Sequence, residues 1–354
     1  MSVFKNWFRP AVLKMKGYTP GEQPQDPKTL KLNTNENPYA PPAVVLKAVR
    51  QAAGEKLRLY PEPTADTLRA RLAKVYGWSR AGIMVGNGSD EILSILFRAC
   101  VGQGDLVQFP DLTYSLYPVL TEIAGGRIFE APLNADFSFN FKKFKPGARL
   151  TLLGDPNPPV GNCFPLKDIE TFVRSAKGLV LIDEAYVDFA EANGLALAKK
   201  YPNVLILRTL SKSFSLAGAR LGILFGNPKV LEQLYKVKDS YNVNRLTQAL
   251  GVAAFSPEGL KASKVNLLKI KKERERLSRS LRALGFTVPE SQANFILAQW
   301  KGQPRAEALY KNLKKNRVLI RYFSHPRLRD SLRITVGKPE DTNRFLAELV
   351  KLLK

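Results

Sequence analysis

Lys212 and Asp183 are the two residues whose type and placement point most directly to chemistry. Lys212 lies in the run Thr209-Leu210-Ser211-Lys212-Ser213-Phe214-Ser215-Leu216-Ala217-Gly218-Ala219-Arg220-Leu221-Gly222. The apolar residues Val204 to Leu207 before it read as a short buried strand, and the hydroxyls and glycines read as a polar turn. Lys212 therefore sits just past a strand's carboxyl end, the edge at which open α/β sheets bind ligands. Asp183 closes a second apolar run, Gly178-Leu179-Val180-Leu181-Ile182, as the end of a buried parallel strand would. The two lie about one βαβ unit apart, roughly 30 residues, so neighbouring strands would carry them to one crevice.

A lysine amine can form a Schiff base with an aldehyde. A carboxylate can keep a pyridine nitrogen protonated, so that the ring draws off an electron pair. Together they suggest pyridoxal 5'-phosphate. A surface lysine in a loop is the competing reading, since the chain has 55 Lys+Arg. An anion seat is offered by Ile83-Met84-Val85, the turn Gly86-Asn87-Gly88-Ser89-Asp90-Glu91, and the apolar stripe Ile92, Leu93, Ile95 and Leu96. Such a strand–turn–helix points backbone N–H groups at phosphate, and Ser89 adds a hydroxyl. The turn lacks the third glycine of a dinucleotide fingerprint and the Gly-Lys-Ser/Thr of a P-loop, which argues against NAD and ATP. A plain helix N-cap remains the alternative.

The elements that must position these groups read as an α/β chain. The 354 residues, 45% hydrophobic and 24% charged, suffice for two domains. Residues 1–40, Pro-rich and polar, read as an N-terminal arm joined to a small domain; residues 41–245 read as the large domain and 246–354 as a small α+β domain. Pro41-Pro42 open a helix. Lys229 to Leu284 reads as helical and basic, with Lys269, Lys271, Lys272, Arg274, Arg276, Arg279 and Arg282 facing solvent. Ala293–Leu297, Val318–Arg321 and Leu332–Val336 read as strands of the small domain.

The net charge of +24 steers anions, yet no nucleic-acid motif accompanies it, and no nucleic-acid partner is expected. Cys100 and Cys163 form no Cys-x-x-Cys pair, so neither a disulfide framework nor a metal site is indicated. No stretch reads as a signal peptide or approaches the ~20 apolar residues of a membrane span, and a cytoplasmic location is expected.

Three stretches carry a resemblance: Ser-Lys-Ser-Phe-Ser-Leu-Ala-Gly around Lys212, Leu32-Asn33-Thr34-Asn35-Glu36-Asn37-Pro38-Tyr39, and Tyr18-Thr19-Pro20-Gly21-Glu22-Gln23. With Leu332-Arg333-Ile334-Thr335-Val336-Gly337 near the end, the chain resembles the histidinol-phosphate aminotransferases throughout. These are fold-type-I pyridoxal-phosphate enzymes, with a mixed, mostly parallel sheet flanked by helices. The resemblance implies a homodimer that moves an amino group between histidinol phosphate and 2-oxoglutarate, giving imidazole acetol phosphate and glutamate in histidine biosynthesis.

It also implies roles. Lys212 would carry the cofactor, Asp183 would hold the ring nitrogen, and Tyr186 and Asn157 the phenolic oxygen. Ser89, Ser211 and Arg220 would take the phosphate, beside Asp90. Tyr114 would stack on the ring. Tyr60 would reach the phosphate across the dimer interface. Tyr18, entering the neighbour's site, would bind substrate with Asn35, Asn157, Arg321 and Arg333. The chain departs from the family in Asp155-Pro156-Asn157-Pro158-Pro159-Val160-Gly161, where the usual run is Asn-Asn-Pro-Thr-Gly; Pro158 removes a donor and restricts Asn157. An aromatic amino-acid aminotransferase or a threonine-phosphate decarboxylase on the same scaffold is the alternative.

Overall fold

The computed structural model describes residues 7–354 and centres on a seven-stranded sheet. In chain order its strands are β1 (Ile83–Asn87), β2 (Leu106–Pro110), β3 (Arg127–Ala131), β4 (Leu150–Gly154), β5 (Leu179–Asp183), β6 (Val204–Thr209) and β7 (Leu221–Phe225). Across the sheet the order is β1-β7-β6-β5-β4-β2-β3. β7 is antiparallel to both β1 and β6, and the other neighbours are parallel. Helices cover both faces, which is why β5 and β6 show no apolar–polar alternation. Val180, Ile182, Val204 and Ile206 enter one buried cluster, while Leu181, Leu205 and Leu207 enter the other. Each such side chain contributes about 1.5–3 kcal/mol by leaving water.

A second, smaller body follows. β8 (Phe295–Gln299), β9 (Arg321–Tyr322) and β10 (Ser331–Thr335) form an antiparallel sheet in the order β9-β10-β8. Leu30–Lys31 pairs in parallel with Val318–Leu319, so the N-terminal arm is tied to the C-terminal part of the chain. Leu30 and Leu32 share a buried cluster with Leu281, Ile296, Ile334 and Phe345.

The basic helical stretch resolves into three helices, Pro228–Val237, Arg245–Ala254 and Pro257–Ala283. Each start is capped by its own side chain: Asn227 accepts from the Lys229 N–H, Asn244 from Thr247 and Ser256 from Gly259. One of the arginines expected at the solvent face turns inward, and another, half-exposed, bonds back onto a buried glutamate of its own helix. Arg274 is buried and donates to the Ala293 carbonyl at 3.0 Å, and Arg276 grips Glu273 at 2.6 Å.

The register of the large sheet is what builds a site. Gly154 is level with Asp183, and Asp183 with Leu207, so β4, β5 and β6 end along one edge. The loops that leave those ends carry Asp155–Gly161, Glu184–Tyr186 and Leu210–Arg220.

Candidate active site

A cavity of about 510 Å³ opens at this edge. Asp183 ends β5 at its floor. Its Oδ2 accepts from the Tyr117 hydroxyl at 2.8 Å and its Oδ1 from the Ala185 N–H at 3.1 Å. Burial pushes the carboxyl up to about 6, outweighing both hydrogen bonds. Lys212 lines the same cavity, with Nζ 5.7 Å from the Tyr186 ring centroid and donating to the Thr34 carbonyl at 3.2 Å. Its loop is clamped on both sides. Asn37 donates to the carbonyls of Lys212 and Ser213 at 3.0 and 3.1 Å, and the Ser213 hydroxyl donates to Asp188. Glu36 stands beside Lys212. Burial opposes its ionisation, but bonds from Lys31 and Thr34 and the charges of Lys31 and Lys212 hold its carboxyl below the usual range.

The anion seat takes shape next to this pair. Ser89 begins a 12-residue helix whose N-cap, Gly88, has φ 85° and provides no side-chain cap, leaving the first N–H groups to an outside acceptor. Gly222 backs it so closely that an added Cβ would stand 2.6–2.7 Å from the Gly88 carbonyl and the Ser89 nitrogen. Arg220, held at φ 52°, projects into the cavity beside Ser211. Its Nη2 lies 3.2 Å from Asp90 Oδ2, and the other Asp90 oxygen accepts from Tyr114 at 3.1 Å.

The opposite wall is built by the arm and the small sheet. Asn35 (φ 57°) donates to the Tyr186 hydroxyl at 3.0 Å, while its own N–H donates to Thr335 at 3.0 Å. Arg321 and Arg333 both line the cavity. Arg333 donates to the Asn33 carbonyl at 2.7 Å, but its buried Nε has no partner among the described residues. Burial, with Arg321 adding to it, pulls the Arg333 guanidinium down to about 10.

Three of the expected residues take positions of their own. Tyr18 lines the cavity of its own chain, its ring 5.9 Å from Tyr114, rather than reaching outward to a neighbour. The arm is held there because Asn33 donates to the Glu22 carbonyl at 2.8 Å and Lys314 pairs with Glu22 at 2.7 Å. Tyr60 is 77% exposed, stacked on Tyr241 at 4.4 Å and away from the cavity. Asn157 is buried and is not among the residues lining the cavity: Nδ2 donates one hydrogen bond, to the Leu112 carbonyl, and Oδ1 accepts from Thr113, both at 2.8 Å. Pro156, Pro158 and Pro159 present their rings to the cavity instead.

Tyr117, Thr34 and Glu36 escaped the sequence reading. Tyr117 follows Tyr114 by one helical turn and reads as core, whereas Glu36 stood in a noticed motif but declared no partner. The assembled groups meet the requirements of pyridoxal 5'-phosphate: an amine for the aldehyde, a buried carboxylate for the ring nitrogen, and a glycine-backed helix start with Arg220 for the phosphate. Among the described residues no helix is long and apolar enough to cross a membrane.

Residues 27–349 match the family model described as aminotransferase class I and II. The chain is 44% identical over 340 residues to a histidinol-phosphate aminotransferase of Rippkaea orientalis, with 96% of each chain covered. It is 44% identical over 345 residues to that of Microcystis aeruginosa, with 98% of each covered. The crystal structure of the Sinorhizobium meliloti histidinol-phosphate aminotransferase in complex with pyridoxal-5'-phosphate superposes with a TM-score of 0.88 at 25% identity, covering 98% of this chain and 97% of that one. With this likeness running the length of the chain and over both sheets, it belongs to the class I and II aminotransferases, in the histidinol-phosphate aminotransferase family.

Proposed function

We propose that this enzyme binds pyridoxal 5'-phosphate through Lys212 and transfers the amino group of histidinol phosphate to 2-oxoglutarate, giving imidazole acetol phosphate and glutamate, a step of histidine biosynthesis. One observation carries the reading. Lys212, Asp183 and the Ser89–Arg220 seat share a cavity whose far wall holds two arginines, one with an unpartnered Nε. A phosphate seat at each end fits a phosphorylated substrate better than an apolar one.

When bound, the cofactor supplies an aldehyde for amino-group exchange and a ring that accepts an electron pair. The chain's own residues do the rest. Lys212 Nζ takes the proton from the amine-bearing carbon of the substrate and returns one, a positioned-base contribution of typically ~10²–10⁴-fold. Glu36 and the Thr34 carbonyl stabilise its protonated state between the two transfers. Asp183 keeps a proton on the ring nitrogen through its negative charge. Ser89, Ser211 and Arg220 take the cofactor phosphate, for which Arg220 must trade its contact with Asp90. Tyr186, fixed by Asn35, donates to the phenolic oxygen. Asn157 acts indirectly, by holding the Leu112–Thr113 backbone beside Tyr114. Arg321, Arg333 and Tyr18 bind the substrate phosphate.

A homodimer is part of this proposal, because Tyr60 does not line the cavity of its own chain and its expected contact with the cofactor phosphate would come from a second copy. The large domain is assigned to residues 41–245 and the small one to 246–354 with the arm 1–40; the pairing of Leu30–Lys31 with Val318–Leu319 supports that division. A cytoplasmic location fits a biosynthetic enzyme of this kind.

Catalytic efficiency with histidinol phosphate, histidinol, phenylalanine and threonine phosphate in one buffer tests the substrate. Charged hydrogen bonds of ~1.5–3 kcal/mol apiece to the phosphate predict at least two orders of magnitude between the first two. Equal efficiency with phenylalanine would support an aromatic aminotransferase, and carbon dioxide release from threonine phosphate a decarboxylase.

A further inference from the structure

We infer that Tyr117 is a positioning residue: its hydroxyl keeps the Asp183 carboxylate ionised, and so decides whether the proton shared with the cofactor resides on the ring nitrogen or on Asp183. The inference rests on the proposed reading of this cavity as the pyridoxal-phosphate site.

Tyr117 has no exposed surface, and its hydroxyl donates to Asp183 Oδ2 at 2.8 Å. Among the described residues it is the one side chain that hydrogen-bonds Asp183; the other donor is the Ala185 backbone. The ring cannot swing away. It packs edge-on against Tyr114 at 5.6 Å and tilted against Phe109 at 5.9 Å, within the helix Leu116–Ala124. Burial and the neighbouring Asp183 push ionisation of the Tyr117 phenol well above its ordinary range, so it can donate a hydrogen bond but does not give up its proton.

The consequence follows from what surrounds the carboxylate. Burial disfavours its charge, and Asp90 and Glu184 press in the same direction, while the hydrogen bonds from Tyr117 and the Ala185 N–H favour it. In so dry a place two arrangements compete: a protonated ring facing a carboxylate, and a neutral ring facing a carboxylic acid. Passing from the first to the second breaks one N–H bond, forms one O–H bond and cancels both charges. A donor to Oδ2 favours the charged arrangement, because an ionised oxygen accepts more strongly than a neutral one. Loss of one charge-assisted hydrogen bond shifts such a balance roughly ten- to a hundredfold.

Tyr117→Phe retains the packed ring and removes only the hydroxyl. The test is the ring-nitrogen chemical shift of holoenzyme loaded with pyridoxal phosphate carrying ¹⁵N in the ring, read at one pH near neutrality, where the pair holds a single shared proton. Tyr117→Phe is expected to lower the ratio of protonated to neutral ring nitrogen roughly ten- to a hundredfold, moving the shift toward the neutral-pyridine value. A purely structural role would weaken cofactor affinity without moving this shift, so an unchanged shift overturns the inference. If Tyr117→Phe does not fold, 3-fluorotyrosine placed at position 117, a stronger donor of nearly the same shape, gives the opposite test: the shift must move toward the protonated value, and no such movement overturns the inference. Wild-type protein that takes up no cofactor would instead overturn the reading of the cavity on which this rests.

Discussion

Arg321 and Arg333 are register partners across the antiparallel pair β9–β10, and both side chains line the cavity. Two cations held side by side repel, and Arg333 is half-buried as well, with its guanidinium pulled down to about 10. Phe295 and Phe323 lie 5.2 and 5.6 Å from the Arg333 guanidinium and offset part of this cost. A dianionic ligand placed between the two arginines would relieve the rest. Arg333→Ala is therefore expected to lower catalytic efficiency with histidinol phosphate by about 10²-fold and with unphosphorylated histidinol by far less. Equal losses on both donors would remove the arginine from phosphate binding.

Asp183 links function to a stability cost. Its carboxyl rises from 3.8 to about 6 on burial, so the native apoprotein binds the proton more tightly than the unfolded chain. Stability on this account falls as pH rises from about 4 to about 6 and stays reduced above that, by about 3 kcal/mol. Cofactor-free Asp183→Asn should match wild type near pH 4 and exceed it at pH 8, while losing most transaminase activity. Denaturant unfolding of both apoproteins at the two pH values is the check, and parallel curves would contradict it.

Tyr18 and Tyr60 should behave oppositely when mutant chains are mixed. Tyr60 does not line its own chain's cavity, whereas Tyr18 does. Heterodimers of Lys212→Ala with Tyr60→Phe should contain one site with both Lys212 and Tyr60, and activity should recover toward half that of wild type per dimer. Heterodimers of Lys212→Ala with Tyr18→Phe should contain no such intact site and recover nothing. The reverse pattern would exchange the two assignments.

Much of this arrangement could be read from the residues, for physical reasons. Strands buried on both faces appear as unbroken apolar runs, so the abrupt change at Asp183 and the turn after Val204–Leu207 mark where the sheet ends. Other features depend on partners far away in sequence. The Asn157 amide bonds Leu112 and Thr113, and nothing near Asn157 in the sequence signals those partners. Tyr18 is kept in its own chain by Asn33 and Lys314, the latter almost the length of the chain away. Arg274 looks like its exposed neighbours until the carbonyls of Ala293 and Phe189 come within its reach.

Gly222 makes the phosphate seat testable without touching a charged group. A Cβ there would press on the backbone of Gly88 and Ser89 at 2.6–2.7 Å, and backbone cannot turn aside as a flexible side chain can. Gly222→Ala should raise the dissociation constant for pyridoxal phosphate by at least about tenfold through a displaced helix start. Titration of apoprotein by absorbance measures this, and unchanged affinity would place the phosphate elsewhere.

Behind the site, Arg208 and Glu184 form a buried pair at 2.7 Å, next in sequence to β6's end and to Asp183. Removing one member leaves an uncompensated buried charge, so Arg208→Ala should cost about 3–5 kcal/mol of stability. Replacing both by apolar residues of similar volume should cost much less. Unfolding free energies of the single and double variants decide this, and a double loss equal to the sum of the two single losses would show that the charges are not coupled.

The account depends above all on Lys212 being the residue that bonds the cofactor. Borohydride reduction of holoenzyme, followed by proteolysis and mass mapping, reads this directly. The reduced pyridoxyl group should be found on the peptide containing Ser211-Lys212-Ser213 and should be absent from Lys212→Ala. A stoichiometric adduct on another lysine, or its persistence in that variant, would contradict the account.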